Sequence, residues 1–292
     1  ENVSEDYEEE DNDEEVYEKP KKSVKKKRRN EPELTEEELE TGLQGAIQTI
    51  AGKLGYAVTV KENRPYESHV RAEESQRSFY KDTAIVIQGP VIYDQNFTHD
   101  TIQIYRGYFP DTRIILSGWE DDEGISGWPD LSDLGIDVVY VKRPDVPGYE
   151  NANLQLKTAY EGLKYAQAKG QHYAMKLRAD MRFYSPDLLN YMFFFMKCFK
   201  SEPLGIQKER LVIFPPRYEY YFFFCDFFMF GNVEDMLRFW DGEHLFTNDY
   251  IGENVEVMLM QRYAKATGIF IENDLANLDA YREVLFRNFG IV

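Results

Sequence analysis

The chain has few of the residues that staple or metallate small proteins: its 292 residues include two cysteines and four histidines. Cys198 and Cys225 cannot form a disulfide framework and lack metal-ligand spacing, so a reducing compartment is the default. His69, His99, His172 and His244 are scattered and form no zinc motif. No apolar run reaches the roughly 18 residues that a membrane-spanning helix needs. A serine-hydrolase elbow and a phosphate-loop signature are also missing. Aromatic side chains, by contrast, are abundant. The 21 Tyr, 20 Phe and 3 Trp exclude a wholly disordered chain and supply ample core.

The charge is unevenly spread. Against 34 Lys and Arg stand 52 Asp and Glu, a formal net of −18. Residues 1–40 hold 17 acids and 8 bases, and the other 252 residues hold 35 acids and 26 bases, so each part carries −9. Residues 1–33 read as a disordered charged tail, because too few apolar residues are present to offset the entropy of ordering. The basic run Lys21 to Arg29 follows an acidic block that would screen it from a polyanion, so nucleic acid is not expected as a partner. The chain opens on Glu1 rather than Met, which suggests a piece of a larger multidomain protein or a processed product. Residues 34–80 read as a helix and linker: Thr35 and Glu38 form a capping-box pattern ahead of Leu39, Leu43, Ile47 and Ile50 on one face.

From 81 to 292 a strand–helix rhythm sets in. Thr83 to Ile87 is a short apolar run stopped by Gln88-Gly89-Pro90. A helix is expected over Phe97 to Phe109, with Thr98 as N-cap, then strands over Arg113 to Ser117 and Asp137 to Val141. A helix over Asn153 to Ala168 leads to a fourth strand, His172 to Leu177, ending in Arg178-Ala179-Asp180. This alternation predicts an α/β domain with a mostly parallel sheet flanked by helices. Further on, Leu211 to Phe214 and Tyr220 to Phe230 read as strands, and Glu234 to Trp240, Val255 to Ala266 and Asp279 to Phe289 as helices. The runs Phe193 to Phe195 and Phe222 to Phe224 read as core, with a membrane-facing patch as the other reading.

Ligands of such sheets bind beyond the carboxyl ends of the strands. A carboxylate there, Asp180, facing a helix that opens on Asn153 and Gln155, suits a nucleotide diphosphate held through Mg²⁺ or Mn²⁺. Arg178 and Arg182 would supply fork-shaped donors to phosphate oxygens. As a purely structural reading, Asp180 is a turn residue before Ser185-Pro186.

The segments Ala84 to Pro90, Tyr105 to Pro110, Ile114 to Ser117 and Trp119-Glu120 resemble the WavE-type lipopolysaccharide synthesis family. So do Asn153-Leu154-Gln155, Lys176 to Arg182, Asp226 to Gly231, Asp235-Met236 and Trp240-Asp241, in order over roughly 83–264. The family is assigned to cell-surface glycan synthesis and is similar to nucleotide-sugar glycosyltransferases of the GT-A fold. The resemblance implies a Rossmann-like GT-A domain in which Ala152-Asn153 and Arg178-Ala179-Asp180 stand where such enzymes carry Arg-Asn and Asp-x-Asp. Arg178 in place of the first Asp argues for direct neutralisation of the diphosphate by a guanidinium.

The expected function is therefore transfer of a sugar from a nucleotide-sugar donor to a glycan or glycolipid acceptor of lipopolysaccharide type. Gln88, Gly89, Pro90, Trp119, Asn153, Gln155, Lys176, Arg178 and Arg182 form the candidate donor-binding set, with Asp180 as candidate metal ligand. Asp226, in the apolar setting Phe224-Cys225-Asp226-Phe227 after an expected strand, is the first candidate base, and Glu253 at a helix start is its rival. Trp119 is the best candidate for stacking on a sugar; Trp128, Tyr149 and Tyr218 to Tyr221 are weaker ones. A sugar nucleotidyltransferase and a noncatalytic glycan-binding module are the alternatives. A cytoplasmic location is expected, with peripheral membrane contact left open.

Overall fold

The computed structural model describes residue 53 and residues 78–122, 134–197, 202–214, 223–249, 253–269 and 278–291. Chain contacts divide the protein into 1–66 and 67–292, and the second unit holds every element described after residue 53. The charged tail, the helix expected after Thr35, His69, Trp128, Cys198, Arg217 and Tyr218 to Tyr221 lie outside the described residues.

The described elements run in the order α1 (Ser78–Lys81), β1 (Thr83–Gln88), α2 (Phe97–Tyr108), β2 (Arg113–Trp119), β3 (Asp137–Val141), α3 (Ala152–Ala168) and β4 (Tyr173–Arg178). They continue with α4 (Leu188–Lys197), β5 (Leu211–Ile213), β6 (Phe228–Asn232), α5 (Val233–Phe239), α6 (Val255–Thr267), α7 (Leu278–Asn288) and β7 (Phe289–Ile291). Seven strands form one sheet in the order β3-β2-β1-β4-β6-β5-β7. All run in one direction except β6, which is antiparallel to both β4 and β5. The α/β class with a mostly parallel, helix-flanked sheet is as expected from the alternation.

Strand burial explains the sequence pattern. Every residue of β1 is buried, so the run carries no polar alternation. Side chains still alternate between two faces. Ile85 and Ile87 of β1, Ile114 and Leu116 of β2, and Met175 and Leu177 of β4 join one apolar cluster with α2 and α4. Ala84, Val86, Ile115 and Ala174 join the other, with α3, α5, α6 and α7. Helix α3 lies close to the sheet because residue 162 is glycine: a Cβ there would come within 2.5 Å of Val86 and 3.0 Å of Ser117. Any side chain at 162 would push the helix off the strands.

Several boundaries differ from the sequence reading, each for a tertiary reason. Strand β2 extends two residues further, since Gly118 and Trp119 pair with Tyr140 and Val141. The α2 cap is Asn96 in the left-handed region, while the Thr98 hydroxyl, inside the first turn, accepts from the Ile92 amide at 2.9 Å. Strand β6 starts at Phe228, so Asp226 precedes a strand instead of following one. Phe289 leaves the last helix and opens β7, where its carbonyl accepts from the Arg210 guanidinium and its ring stacks on Phe224 at 4.6 Å. Phe193 is buried in α4 and Phe194 exposed, which supports the core reading for most of that run. Among the described residues no helix is long and apolar enough to cross a membrane.

Candidate active site

The chain leaves β1 for β2 on one side and returns to β4 on the other, so the strand order switches between β1 and β4. Ligands of open α/β sheets bind at such a switch point. The two strand ends that meet there, Gln88-Gly89-Pro90 and Arg178-Ala179-Asp180, are tied by the Ala179 amide donating to the Gln88 carbonyl at 2.9 Å. Gly89 turns the chain out of β1 with φ +110°, a region that favours glycine, and nothing lies within 4 Å of where its Cβ would stand.

Register brings a third segment to the same edge. Leu177 of β4 pairs with Phe228 of β6, so residues 223–227 lie beside Arg178 and Asp180. Asp226 interacts electrostatically with both Arg178 and Lys176. Arg178 is half-exposed and donates to Asp180 through Nε at 3.0 Å and Nη2 at 2.7 Å. That hydrogen-bonded carboxylate holds the guanidinium above its ordinary pKa. Burial pushes the Cys225 thiol up to about 12, which leaves it protonated and inert as a nucleophile.

The other expected site residues fall into two groups. Gln88 is buried, and its Oε1 accepts from the Thr158 hydroxyl at 2.6 Å. Gln155 donates through Nε2 to the Asp226 carbonyl at 2.9 Å, so α3 reaches the 223–227 segment directly. Lys176 is fully buried, donates to the same carbonyl, and lies 3.8 Å from the centroid of the Trp240 ring. These three join the Arg178 cluster from beneath it.

The remaining residues have other partners. Asn153 is fully buried and donates to the carbonyls of Val146 at 2.9 Å and Phe246 at 2.7 Å, while its Oδ1 accepts from the Phe246 amide. It thereby fastens two loops together above α3. Arg182 donates to the Thr101 hydroxyl, the Phe97 carbonyl and the Tyr184 hydroxyl, so its guanidinium braces the start of α2. Trp119 is the last residue of β2, only 3% exposed, and is roofed by the Arg143 guanidinium at 4.7 Å. Glu253 stands just before Asn254, the N-cap of α6. The sequence reading did not single out Thr158, or Trp240 as a site residue. A lysine inside an otherwise apolar strand, Ala174-Met175-Lys176-Leu177, was the available signal that a buried partner had to exist.

The donor set decides how well a divalent cation fits. Mg²⁺ is bound through one or two carboxylates plus substrate phosphates. Both Asp180 oxygens are engaged by Arg178, and a dication there would have to displace a guanidinium. Among the described residues no group of three or more His, Cys, Asp or Glu is placed to hold a metal. As arranged, with both of its oxygens engaged by the guanidinium, Asp180 does not fit a cation.

The fold is thus that of an α/β protein whose strand order switches between β1 and β4. The chain matches the WavE lipopolysaccharide synthesis family over residues 83–283 and belongs to it. No curated protein matches the chain. Among solved structures, it is similar to a 4-diphosphocytidyl-2C-methyl-D-erythritol synthase from Anaerococcus prevotii, at 13% identity and TM-score 0.32, covering 63% of this chain and 97% of that one. It is also similar to a nucleoside-diphosphate-sugar pyrophosphorylase from Vibrio cholerae, at 13% identity and TM-score 0.33, covering 69% of this chain and 99% of that one.

Proposed function

We propose that the protein is a GT-A-like glycosyltransferase that moves a sugar from a nucleotide-sugar donor to a glycan or glycolipid acceptor of lipopolysaccharide type. The observation that supports this reading is the half-exposed Arg178 at the switch point, with the segment carrying Asp226 fastened next to its strand by Lys176 and Gln155. Family membership supports the glycan context. In the reaction, Asp226 takes the proton of an acceptor hydroxyl as its oxygen bonds to the anomeric carbon. The bond from that carbon to the diphosphate oxygen breaks, the leaving oxygen keeps the electron pair, and Arg178 neutralises it. Glu253 is the second candidate base. Gln88, Gly89 and Pro90 line the donor side of the switch point. A diphosphate held by Arg178 would take the place of Asp180 on the guanidinium, and the same exchange would be needed before Asp180 could hold Mg²⁺ or Mn²⁺.

A sugar nucleotidyltransferase would need cationic residues after β1 to hold the triphosphate of its substrate. The stretch 89–96 contains neither Lys nor Arg, and this favours the transferase. The test separates the two. Incubation with UDP-, GDP- and CMP-sugars should release the nucleoside diphosphate or monophosphate, and release should persist in a chelator. Arg178→Gln and Asp226→Asn should each slow it by about 10²-fold or more. Pyrophosphate release from a nucleoside triphosphate and a sugar 1-phosphate would establish the nucleotidyltransferase, and inertness in both assays would overturn the enzyme.

A further inference from the structure

Lys176 is an ammonium with no solvent exposure in the middle of a sheet. Such burial is costly, and an apolar residue of the same volume would pack there at lower cost. Its surroundings show what the charge is used for. Facing it are Gln155 from α3, the Trp240 ring next to α5, Cys225 and Asp226 from the 223–227 segment, Arg178 at the end of its own strand and Asp180 just beyond. Nζ donates to the Asp226 main-chain oxygen and rests over the face of Trp240, a ring that is itself fully buried. The Gln155 amide donates to that same oxygen at 2.9 Å. Two donors from two different elements therefore converge on one carbonyl, and it belongs to the residue proposed above as the base.

We propose that Lys176, wedged between the Trp240 ring and the Asp226 carbonyl, is the positioning residue that fixes the 223–227 segment and so aims the Asp226 carboxylate toward the switch point. With no exposed surface, Lys176 acts through Asp226 and does not touch the donor. The catalytic part of this inference rests on Asp226 serving as base in the reading above; the positional part does not.

Hydrogen–deuterium exchange of the intact chain tests the positional part without any activity. In Lys176→Met, exchange over 223–228 should rise about tenfold while peptides from β1 and β2 stay at wild-type rates. Gln155→Leu, which removes the other donor without altering a buried charge, should shift the same peptide in the same direction by less. Turnover then separates positioning from binding: kcat should fall about 10²-fold in Lys176→Met, with the KM for the donor within about threefold of wild type. Lys176→Gln keeps a donor on a shorter side chain and should recover part of the protection. Wild-type exchange over 223–228 in whichever of these variants folds would overturn the proposal. A rise in donor KM with exchange unchanged would also overturn it, by making Lys176 a binding residue. Full turnover in Asp226→Asn, with the exchange change intact in Lys176→Met, would instead sink the assignment of the base.

Discussion

The two faces of the sheet are built from the same strands yet end differently. On the face covered by α2 and α4, the side chains stay apolar to the carboxyl edge: Ile85 then Ile87, Ile114 then Leu116, Met175 then Leu177. On the face covered by α3 and α5, the central strands β1, β2 and β4 carry polar side chains near that edge, whereas β5 stays apolar through Leu211 and Ile213. Ala84 and Val86 give way to Gln88, Ile115 to Ser117, and Ala174 to Lys176 and Arg178. All but Arg178 are buried, so solvation does not account for the change. A fold needing only stability would carry apolar residues on both faces, because buried polar groups cost free energy unless paired. Both faces hold apolar clusters, and only one of them carries buried polar groups at the carboxyl edge of its central strands.

The largest effect should come from breaking the polar face at its open end. Asp226→Asn keeps the shape of the side chain and should lower kcat by about 10²- to 10⁴-fold, while the melting temperature stays near that of wild type. Steady-state donor turnover with matched thermal melts checks both halves of this statement. A melting loss as large as that of a core truncation would place Asp226 among the stabilising residues.

The opposite face should respond in the opposite sense. Leu116 is fully buried against α2. Leu116→Ala should cost about 2–5 kcal/mol of stability by leaving a cavity, with turnover per folded molecule unchanged. Denaturant unfolding and a folded-fraction-corrected rate decide it. A loss of turnover with intact stability would make the two faces functionally alike.

Between these extremes lies the buried polar network. Thr158→Val is close to isosteric but strips the donor from Gln88 Oε1, leaving a buried acceptor unpaired. It should cost about 1–3 kcal/mol, read by the same unfolding curves. A neutral result would mean that Gln88 finds another partner.

How much of this was legible in sequence follows the same division. The α/β class was readable because the parallel strands are short apolar runs separated by amphipathic helices, as in Thr83 to Ile87 and Asn153 to Ala168. The strand-end cluster of Gln88, Arg178 and Asp180 was readable from the position of those residues after apolar runs. Local sequence did not indicate that Arg178 and Asp180 would pair with each other, nor that Arg182 would brace α2, because those partners are fixed by three-dimensional neighbours. The shift of Asp226 from the end of a strand to the approach of one has a related cause: the aromatic run 220–230 carries strand propensity throughout, and only pairing with β4 fixes where β6 begins. Trp119 was placed past its strand because Gly118 reads as a turn, yet β3 pairs with it through Tyr140.

Acidity separates the faces by a subtler measure. Burial pushes the Lys176 ammonium down to about 7, from an ordinary value of 10.5. Between those values the unfolded chain holds one more proton than the folded one, so this group makes stability rise with pH across that window. Below about 7 both states are charged and the full cost of burying the ammonium is present. Lys176→Met lacks this dependence. The stability of the variant minus that of wild type should therefore decline from pH 7 to pH 10, with a slope of at most about 1.4 kcal/mol per pH unit. Parallel urea titrations across that range measure it. A difference that is flat in pH would show that the amine keeps its ordinary affinity for a proton and that the pocket is wetter than its burial implies.

The smallest effect is expected at the far flank of the polar face, and it tests whether the site extends there. Arg143 lies over Trp119 and pairs with Asp121 at 2.8 Å, both charged side chains being roughly half-exposed. Exposed pairs contribute about 0–1 kcal/mol, since water and side-chain entropy offset most of the Coulomb gain. Arg143→Ala should thus lower the melting temperature by no more than about 4 °C. It should also change the Trp119 emission, because the ring loses its roof. The contrast with Thr158→Val is the point of the measurement: a buried neutral hydroxyl should matter more than an exposed ion pair, because the hydroxyl alone leaves an unsolvated partner behind. A loss at Arg143 exceeding that at Thr158 would mean that the β2–β3 flank is organised like the switch point, and the polar face would then be one continuous site from β3 to β6.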